Sequence, residues 1–449
     1  MLYLNESRHR SAQVEEMKDK RLMAVLLIGA LVLLGAVVAA YATTSVRPGE
    51  APAVVFAGQE VQPGESVFAE PVLGGLLTKR IVQESANPAG DLGVLTVATL
   101  PLEVDAHGEE SSSVSTEVRE DVWVTLWLDG EDVFSGTPEE YAEFRFSENG
   151  PYRAALKIER PEDGQTSRAV FNYEISFELD VQPVVLFSSD RARQGDILSV
   201  YVNRGFATEA PEIETALGTA IFLPLSSDEY ISYIPVNYAQ TLGKWMIDVS
   251  VGGEAYEQGI IVTGRTYKEQ HMTISQSTTD ATMNNPDGPK NWAERIKVLW
   301  ETYDVEKYWN EVFIRPCDGR ISTEFGLYRY TNKNPVPTRH TGIDIAAPAG
   351  TPILASNSGR VVRAEDIIYT GNTVVIEHGG GLKTYYFHME TMDVKEGDLI
   401  ERGTVLGTVG STGYSTGAHL HFEVKIGSHS LSPWELFDGT SELYFDAGL

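Results

Sequence analysis

Residues 169–181 read Ala169-Val170-Phe171-Asn172-Tyr173-Glu174-Ile175-Ser176-Phe177-Glu178-Leu179-Asp180-Val181. Every odd position is apolar, and after Val170 every even position is polar. Period two over such a length predicts a β-strand with one face in a core and the other in water. Tyr152, Ala154, Leu156 and Ile158 alternate likewise behind the Asn149-Gly150-Pro151 turn, and 122–128 is a nearly continuous apolar run that fits a more buried strand. Short strands divided by Gly, Pro, Asn and Asp turns predict a β-sandwich over 52–181. A second alternating set, Leu198/Val200/Val202 and Trp245/Ile247/Val249/Val251, predicts another over 182–265. Neither carries catalytic spacing, so the modules read as spacers or docking surfaces. His107, in the acidic and serine-rich stretch 104–118, reads as a solvated loop residue.

Toward the amino end, positions 22–42 are 21 consecutive residues without a charge, rich in Leu, Val, Ala and Ile. As a helix they span about 31 Å, enough to cross a bilayer core. Arg8, Arg10, Lys18, Lys20 and Arg21 precede this run, and Arg47 is the nearest basic residue beyond it. That bias predicts a single-pass transmembrane helix at 22–42, with 1–21 in the cytoplasm and the rest extracytoplasmic. A signal sequence cleaved after Ala40-Tyr41-Ala42 is the alternative, and it exports the same domains. Over 449 residues, 64 Asp and Glu outweigh 35 Lys and Arg, a formal net charge of −29. No nucleic-acid partner is expected, because phosphate binding requires a basic surface. Cys317 is the single cysteine, which excludes an intramolecular disulfide framework and a structural thiolate zinc site. A large exported chain without cystine fits a bacterium better than a eukaryotic secretory pathway. The bacterial cell membrane is the expected location.

Positions 266–316 read as a linker and connector. Thr, Ser, Asn, Asp, Pro and Gly make up most of 273–290. Trp292, Ile296, Leu299 and Tyr303 then recur at helical spacing, with Asn291 and Glu294 as a capping box. From 317 to 436 short β-rich runs alternate with glycines, and six of the nine histidines fall between His340 and His429. His340 and Asp344 stand in His-Thr-Gly-Ile-Asp. His419 and His421 stand in His-Leu-His, where period two points both imidazoles to one face. His388 follows the run 383–387. Imidazole and carboxylate are suitable zinc ligands. Two His and one Asp leave a fourth tetrahedral position for water, whose pKa zinc lowers to about 7. Two histidines then remain for proton transfer or for holding a developing oxyanion. His378, beside Gly379-Gly380-Gly381, reads as structural or exposed, and His429 as solvated in a turn. Glu423 either orients a ligand from behind or is a solvated strand carboxylate. Cys317 reads as a small buried residue.

The sequence resembles the lysostaphin-like (LytM-type) zinc endopeptidases, which cut peptides of bacterial peptidoglycan. The likeness is carried by Gly319-Arg320-Ile321-Ser322-Thr323-Glu324-Phe325-Gly326, His340-Thr341-Gly342-Ile343-Asp344 and Ala347-Pro348-Ala349-Gly350-Thr351. Tyr386-Phe387-His388 and Gly417-Ala418-His419-Leu420-His421-Phe422-Glu423 complete it. The resemblance implies one Zn2+ per domain held by His340, Asp344 and His421, with His388 and His419 flanking the metal as catalytic histidines. It implies peptidoglycan peptides as substrate, hydrolysed by zinc-activated water. A supporting tyrosine would come from the insertion 327–339, as Tyr328 or Tyr330. The expected architecture is mainly β, with β-sandwich (Ig-like) modules at 52–181 and 182–265. A connector at 266–316 leads to a zinc endopeptidase domain at 317–436. The alternative function is a non-catalytic scaffold or activator of the cell envelope, in division or sporulation, that uses this domain to bind protein.

Overall fold

The alternating run becomes the strand Arg168–Leu179, with Ala169, Phe171, Tyr173, Ile175, Phe177 and Leu179 buried. Within a seven-stranded sheet it pairs antiparallel with Gly150–Arg160 on one side and with Glu65–Val72 on the other. Ala53–Phe56, Gln59–Val61 and Leu102–Asp105 form a three-stranded sheet, from which Phe56 meets Phe177 at 5.6 Å between ring centroids. The computed structural model describes residues 2–85, 90–105, 121–162 and 165–448. His107 lies outside the described residues. Strands make up 44% of the chain and helices 15%, so the mainly-β expectation holds.

Contacts divide the chain into two units, Met1–Val181 and Gln182–Leu449. In the first, one helix runs over Leu2–Thr43, and its part Glu16–Thr43 is long and apolar enough to cross a membrane. Leu26, Leu27, Val32 and Leu33 on it are exposed. Membrane anchors and signal sequences share that property.

The second unit contains two four-stranded sheets. Val184–Phe187, Ile197–Asn203, Glu229–Pro235 and Phe222–Pro224 form one, and Arg191–Arg193, Glu254–Thr263, Gly243–Val251 and Glu212–Thr215 the other. Leu198, Val200, Val202, Ile234, Val249 and Ile260 share the core between them. The alternate residues Ile197, Tyr201, Ile231 and Tyr233 enter a second core with Trp309, Phe313, Phe422 and Leu431. Ile197–Val202 is therefore buried on both faces, and the region 184–263 shares hydrophobic core with the C-terminal β domain.

The connector differs from its expected form. A helix covers Gly288–Arg295 with Pro289 in its first turn, and a 3₁₀ turn follows over Lys297–Glu301. Proline suits a first turn, where its missing N–H is not needed. Asn291 lies inside the helix, and its side-chain oxygen accepts the Ile368 N–H at 3.1 Å. Ile296 and Leu299 pack against Val362, Ile367, Val375, Tyr385 and Phe387. Tyr303, beyond the last turn, is half exposed.

The C-terminal domain is organised on a ten-stranded sheet whose main path runs Arg320–Thr323, Ile343–Ala346, His419–Ile426, Leu382–Met392, Gly371–Glu377, Gly359–Ile367 and Leu399–Ile400. Ile343 pairs with Phe422 and Asp344 with His421. Where this pairing begins, the backbone approaches Gly342 so closely that an added Cβ would overlap the Phe422 carbonyl. Gly342→Ala should push the strands apart and destabilise the unit by about 1–3 kcal/mol, the range for overpacking. Thermal unfolding checks this. Gly417→Ala, where a Cβ meets nothing within 4 Å, should leave the midpoint unchanged; equal midpoints for the two variants would refute the close-approach argument.

Candidate metal centre

His340 is delivered by the short strand Thr338–Arg339. The Arg339 guanidinium lies over the rings of Tyr238, Tyr267 and Tyr328 at 4.9, 4.4 and 4.2 Å. Its Nε–H donates to the Gly326 carbonyl at 2.7 Å, and the His340 N–H donates to the Leu327 carbonyl at 2.9 Å. These contacts fix the backbone that carries His340. Asp344 and His421 arrive from paired positions on neighbouring strands. His340 Nε2 lies 2.9 Å from Asp344 Oδ1 and 2.9 Å from His421 Nδ1, and the last two are 2.7 Å apart.

Each of the three is held from behind. His340 Nδ1–H donates to the Glu324 carbonyl at 3.0 Å, His421 Nε2–H to Glu423 Oε1 at 3.0 Å, and Arg329 donates to Asp344 Oδ2 at 2.9 Å. A carbonyl or carboxylate only accepts, so these partners settle which ring nitrogen carries hydrogen. Three donor atoms with lone pairs consequently converge on one point inside the protein. Such crowding is costly unless protons or a metal cation sit among them, and two imidazoles with one carboxylate match the hardness of Zn2+. The residues fit that metal.

The carboxylates favour a positive charge at this point, whether a metal ion or a proton on His421. Burial lowers the His421 pKa, but hydrogen bonds to Asp344 and Glu423 outweigh it, and the group is pushed up to about 9. Burial raises the Asp344 carboxyl, yet the charges and hydrogen bonds of His340 and His421 hold it well below the usual range. Glu423 is likewise held low against burial, by Lys425 and by His421; Lys425 Nζ is 3.0 Å from its Oε2.

His388 and His419 stand beside this cluster. Their ring centroids are 4.8 Å apart, and His419 Nε2 is 3.8 Å from Asp344 Oδ1. His388 has φ of 61°, a left-handed conformation uncommon outside glycine. It falls where Leu382–Met392 exchanges one neighbour for another: Phe387 still pairs with His421, whereas Met389 pairs with Val409. The reversal interrupts the alternation of side chains. His388 Nδ1–H donates to the Thr412 carbonyl at 2.8 Å, and His419 Nδ1–H to the Gly417 carbonyl at 2.7 Å, which leaves Nε2 of both rings for chemistry. Burial, reinforced by His419 and His421, lowers the His388 pKa to about 3.

All five histidine and aspartate positions singled out in the sequence come together. The others do not. Tyr328 serves the Arg339 cage, and Tyr330 stacks on His271 at 4.7 Å. His378 is fully buried, with Nδ1–H donating to the Ser358 carbonyl at 2.7 Å and Nε2 2.8 Å from Thr384 Oγ1. His429 opens the strand His429–Leu431 instead of lying in a turn. Burial pushes the Cys317 thiol up to about 11, away from ligation. Glu423, left open by the sequence, is buried behind His421. Arg329 was missed altogether, because nothing in the insertion sets its register against the motifs.

A buried His-Asp-His donor set flanked by two further histidines on a β scaffold defines a class, the metallopeptidase domains. Residues 338–433 match the family described as Peptidase family M23, and the C-terminal domain of this chain belongs to it, as the motifs led us to expect. The peptidoglycan DD-endopeptidase ShyB of Vibrio cholerae is 42% identical over 125 residues, covering 27% of this chain and 29% of that protein. Lysostaphin of Staphylococcus staphylolyticus is 40% identical over 95 residues, 21% of this chain and 20% of its own length. The solved structure of LytU is 32% identical, covering 31% of this chain and 98% of that one, with a TM-score of 0.25. The chain thus spans less than a third of ShyB and of lysostaphin.

Among the histidines, His378 makes the simplest test of the electrostatics. Burial lowers its pKa from 6.5 to about 4. Between those values the unfolded chain binds a proton that the folded one refuses, so the stability is present above pH 6.5 and lost as pH falls toward 4. This group alone should cost roughly 2 kcal/mol between pH 7 and 5. Denaturant unfolding of His378→Gln should show a correspondingly shallower loss over that interval; an unchanged pH slope would contradict the assignment.

Proposed function

We propose that the chain is a membrane-anchored, extracytoplasmic zinc endopeptidase that hydrolyses peptide bonds in bacterial peptidoglycan. The observation that carries the reading is the convergence of His340, Asp344 and His421, with His388 and His419 beside them, in a domain of family M23. The relative named as a peptidoglycan DD-endopeptidase supports the substrate class. In this reading 22–42 holds the chain in the cytoplasmic membrane, 1–21 stay in the cytoplasm, 52–181 is an Ig-like spacer, and 182–265 is an Ig-like module packed on the peptidase domain.

His340, Asp344 and His421 hold one zinc ion, which when bound supplies a Lewis acid and makes water acidic enough to attack at neutral pH. His388 and His419 do the proton work. Each has its Nδ1–H engaged by a backbone carbonyl, so each meets the substrate through Nε2. One takes the proton from the attacking water and passes it to the leaving amine. The other, once protonated to imidazolium so that Nε2 carries hydrogen as well as Nδ1, steadies the negative charge that develops on the carbonyl oxygen.

The roles separate by measurement. His340→Ala, Asp344→Ala and His421→Ala each remove one of three ligands and should lose zinc and activity together. His388→Ala and His419→Ala should keep near-stoichiometric zinc and slow hydrolysis by about 10²–10⁴-fold, the range for a lost general acid or base. Metal analysis beside mass analysis of fragments released from isolated peptidoglycan reads both. Zinc lost from His388→Ala but kept by His340→Ala would reverse the assignment, and parental digestion by every variant would end the enzyme reading. For the anchor, tagged full-length protein should resist alkaline extraction from membranes. A soluble product beginning at Thr43 would show signal cleavage instead.

A further inference from the structure

We infer that Arg329 is a positioning residue of the metal centre, and that the linker strand Glu269–Met272 belongs to that centre because it holds Arg329. The inference rests on the metal site proposed above. Arg329 lies on Tyr328–Thr331, in a hairpin with Thr338–Arg339. The third strand of that sheet comes from the linker: Glu269–Met272 runs parallel, with Gln270 against Arg329 and His271 against Tyr330. The pairing extends beyond the strand at both ends. Tyr328 N–H donates to the Lys268 carbonyl at 2.9 Å, Asn332 N–H to the Met272 carbonyl at 3.0 Å, and Ile274 N–H to Asn332 Oδ1 at 2.8 Å.

Through this frame runs a relay. Gln270 Oε1 accepts Arg329 Nε–H at 3.0 Å, and the same guanidinium donates to Asp344 Oδ2 at 2.9 Å. Gln270 Nε2 reaches Thr323 Oγ1 at 3.4 Å, and Thr323 is the strand partner of Asp344. Gln270 thereby ties Arg329 to the strand beside the carboxylate it holds. Arg329 is about one-fifth exposed and Asp344 is buried, so the ion pair is shielded from bulk water.

The consequence concerns coordination. A carboxylate can chelate a cation through both oxygens. With Oδ2 engaged by a guanidinium, Asp344 offers Oδ1 alone, beside two imidazole nitrogens, and the fourth tetrahedral position stays open.

The test uses the full chain in detergent, with zinc affinity read by competition against a chromophoric chelator. Cobalt(II) is substituted as a spectroscopic probe, because its visible absorption weakens when coordination rises above four. Arg329→Gln should weaken zinc binding by about 10–100-fold, as for other groups that orient metal ligands, and should lower the cobalt absorption. Arg329→Lys, which restores a cation toward Oδ2, should recover most of the affinity. Gln270→Ala, outside both the hairpin and the ligand set, should shift affinity and spectrum in the same direction by less. Parental affinity and spectrum in folded Arg329→Gln would overturn the inference while leaving the metal site standing. Should Arg329→Gln fail to fold, parental values in Gln270→Ala would overturn it. A parent that binds neither metal would overturn the inference and the metal site together.

Discussion

Asp344 faces His421 across the antiparallel strands Ile343–Ala346 and His419–Ile426, and the chemistry of the site hangs on that register. Side chains alternate with period two, so a slip by one residue would send every donor to the opposite face. What prevents the slip is hydrophobic. Ile343, Ile345, Leu420, Phe422 and Val424 are buried in the shared core and occupy the positions between Asp344, His419, His421 and Glu423. Each fully buried side chain of this kind contributes about 1.5–3 kcal/mol, several together far more than the penalty for crowding three donor atoms. Burial on one face therefore sets the ligand geometry on the other.

The polar face has its own logic. Along His419–Ile426 the residues His419, His421, Glu423 and Lys425 follow one another at every second position. Lys425 Nζ continues the series by donating to Ser430 Oγ at 2.7 Å. A second buried pair, Lys383 with Glu377 at 2.5 Å, lies on the two adjacent strands. Isolated charges at such depth are strongly unfavourable, and pairing with further hydrogen bonds offsets the desolvation. Removing one member strands its partner, so this row resists piecemeal change.

Much of this was legible in the sequence, for physical reasons that differ from residue to residue. Alternation announced the strands at 169–181 and around His-Leu-His because period two is a property of the strand itself. Neither His-x-His nor His-x-x-x-Asp is specific alone; the donor set stood out because both occur, with His388 between them, in one β domain. Other features escaped. The connector stripe was visible in Ile296 and Leu299, but the helix ends before Tyr303, where a 3₁₀ turn carries Leu299 into the core. Glu423 could be assigned to the correct face and not to its depth, since burial depends on what packs above it. Arg329 had no signal at all: its partner Gln270 lies 59 positions earlier, and no local pattern encodes a parallel pairing between a linker and an insertion.

That last failure bears on how likeness to a family should be read. The stretch matched to family M23, 338–433, contains all five residues of the candidate centre. It contains neither Glu324, whose carbonyl accepts from His340, nor Arg329, which holds Asp344, nor the Tyr238 and Tyr267 rings that cage Arg339. The matched segment supplies donors, while part of what orients them comes from the linker, the insertion and the strand region before it. Those supporting parts share core and sheet with the C-terminal domain, and two hydrogen bonds, Gln270 to Arg329 and Arg329 to Asp344, join the linker to the donor set. The placement of the candidate donors therefore rests on contacts from outside the matched segment as well as on the strands within it.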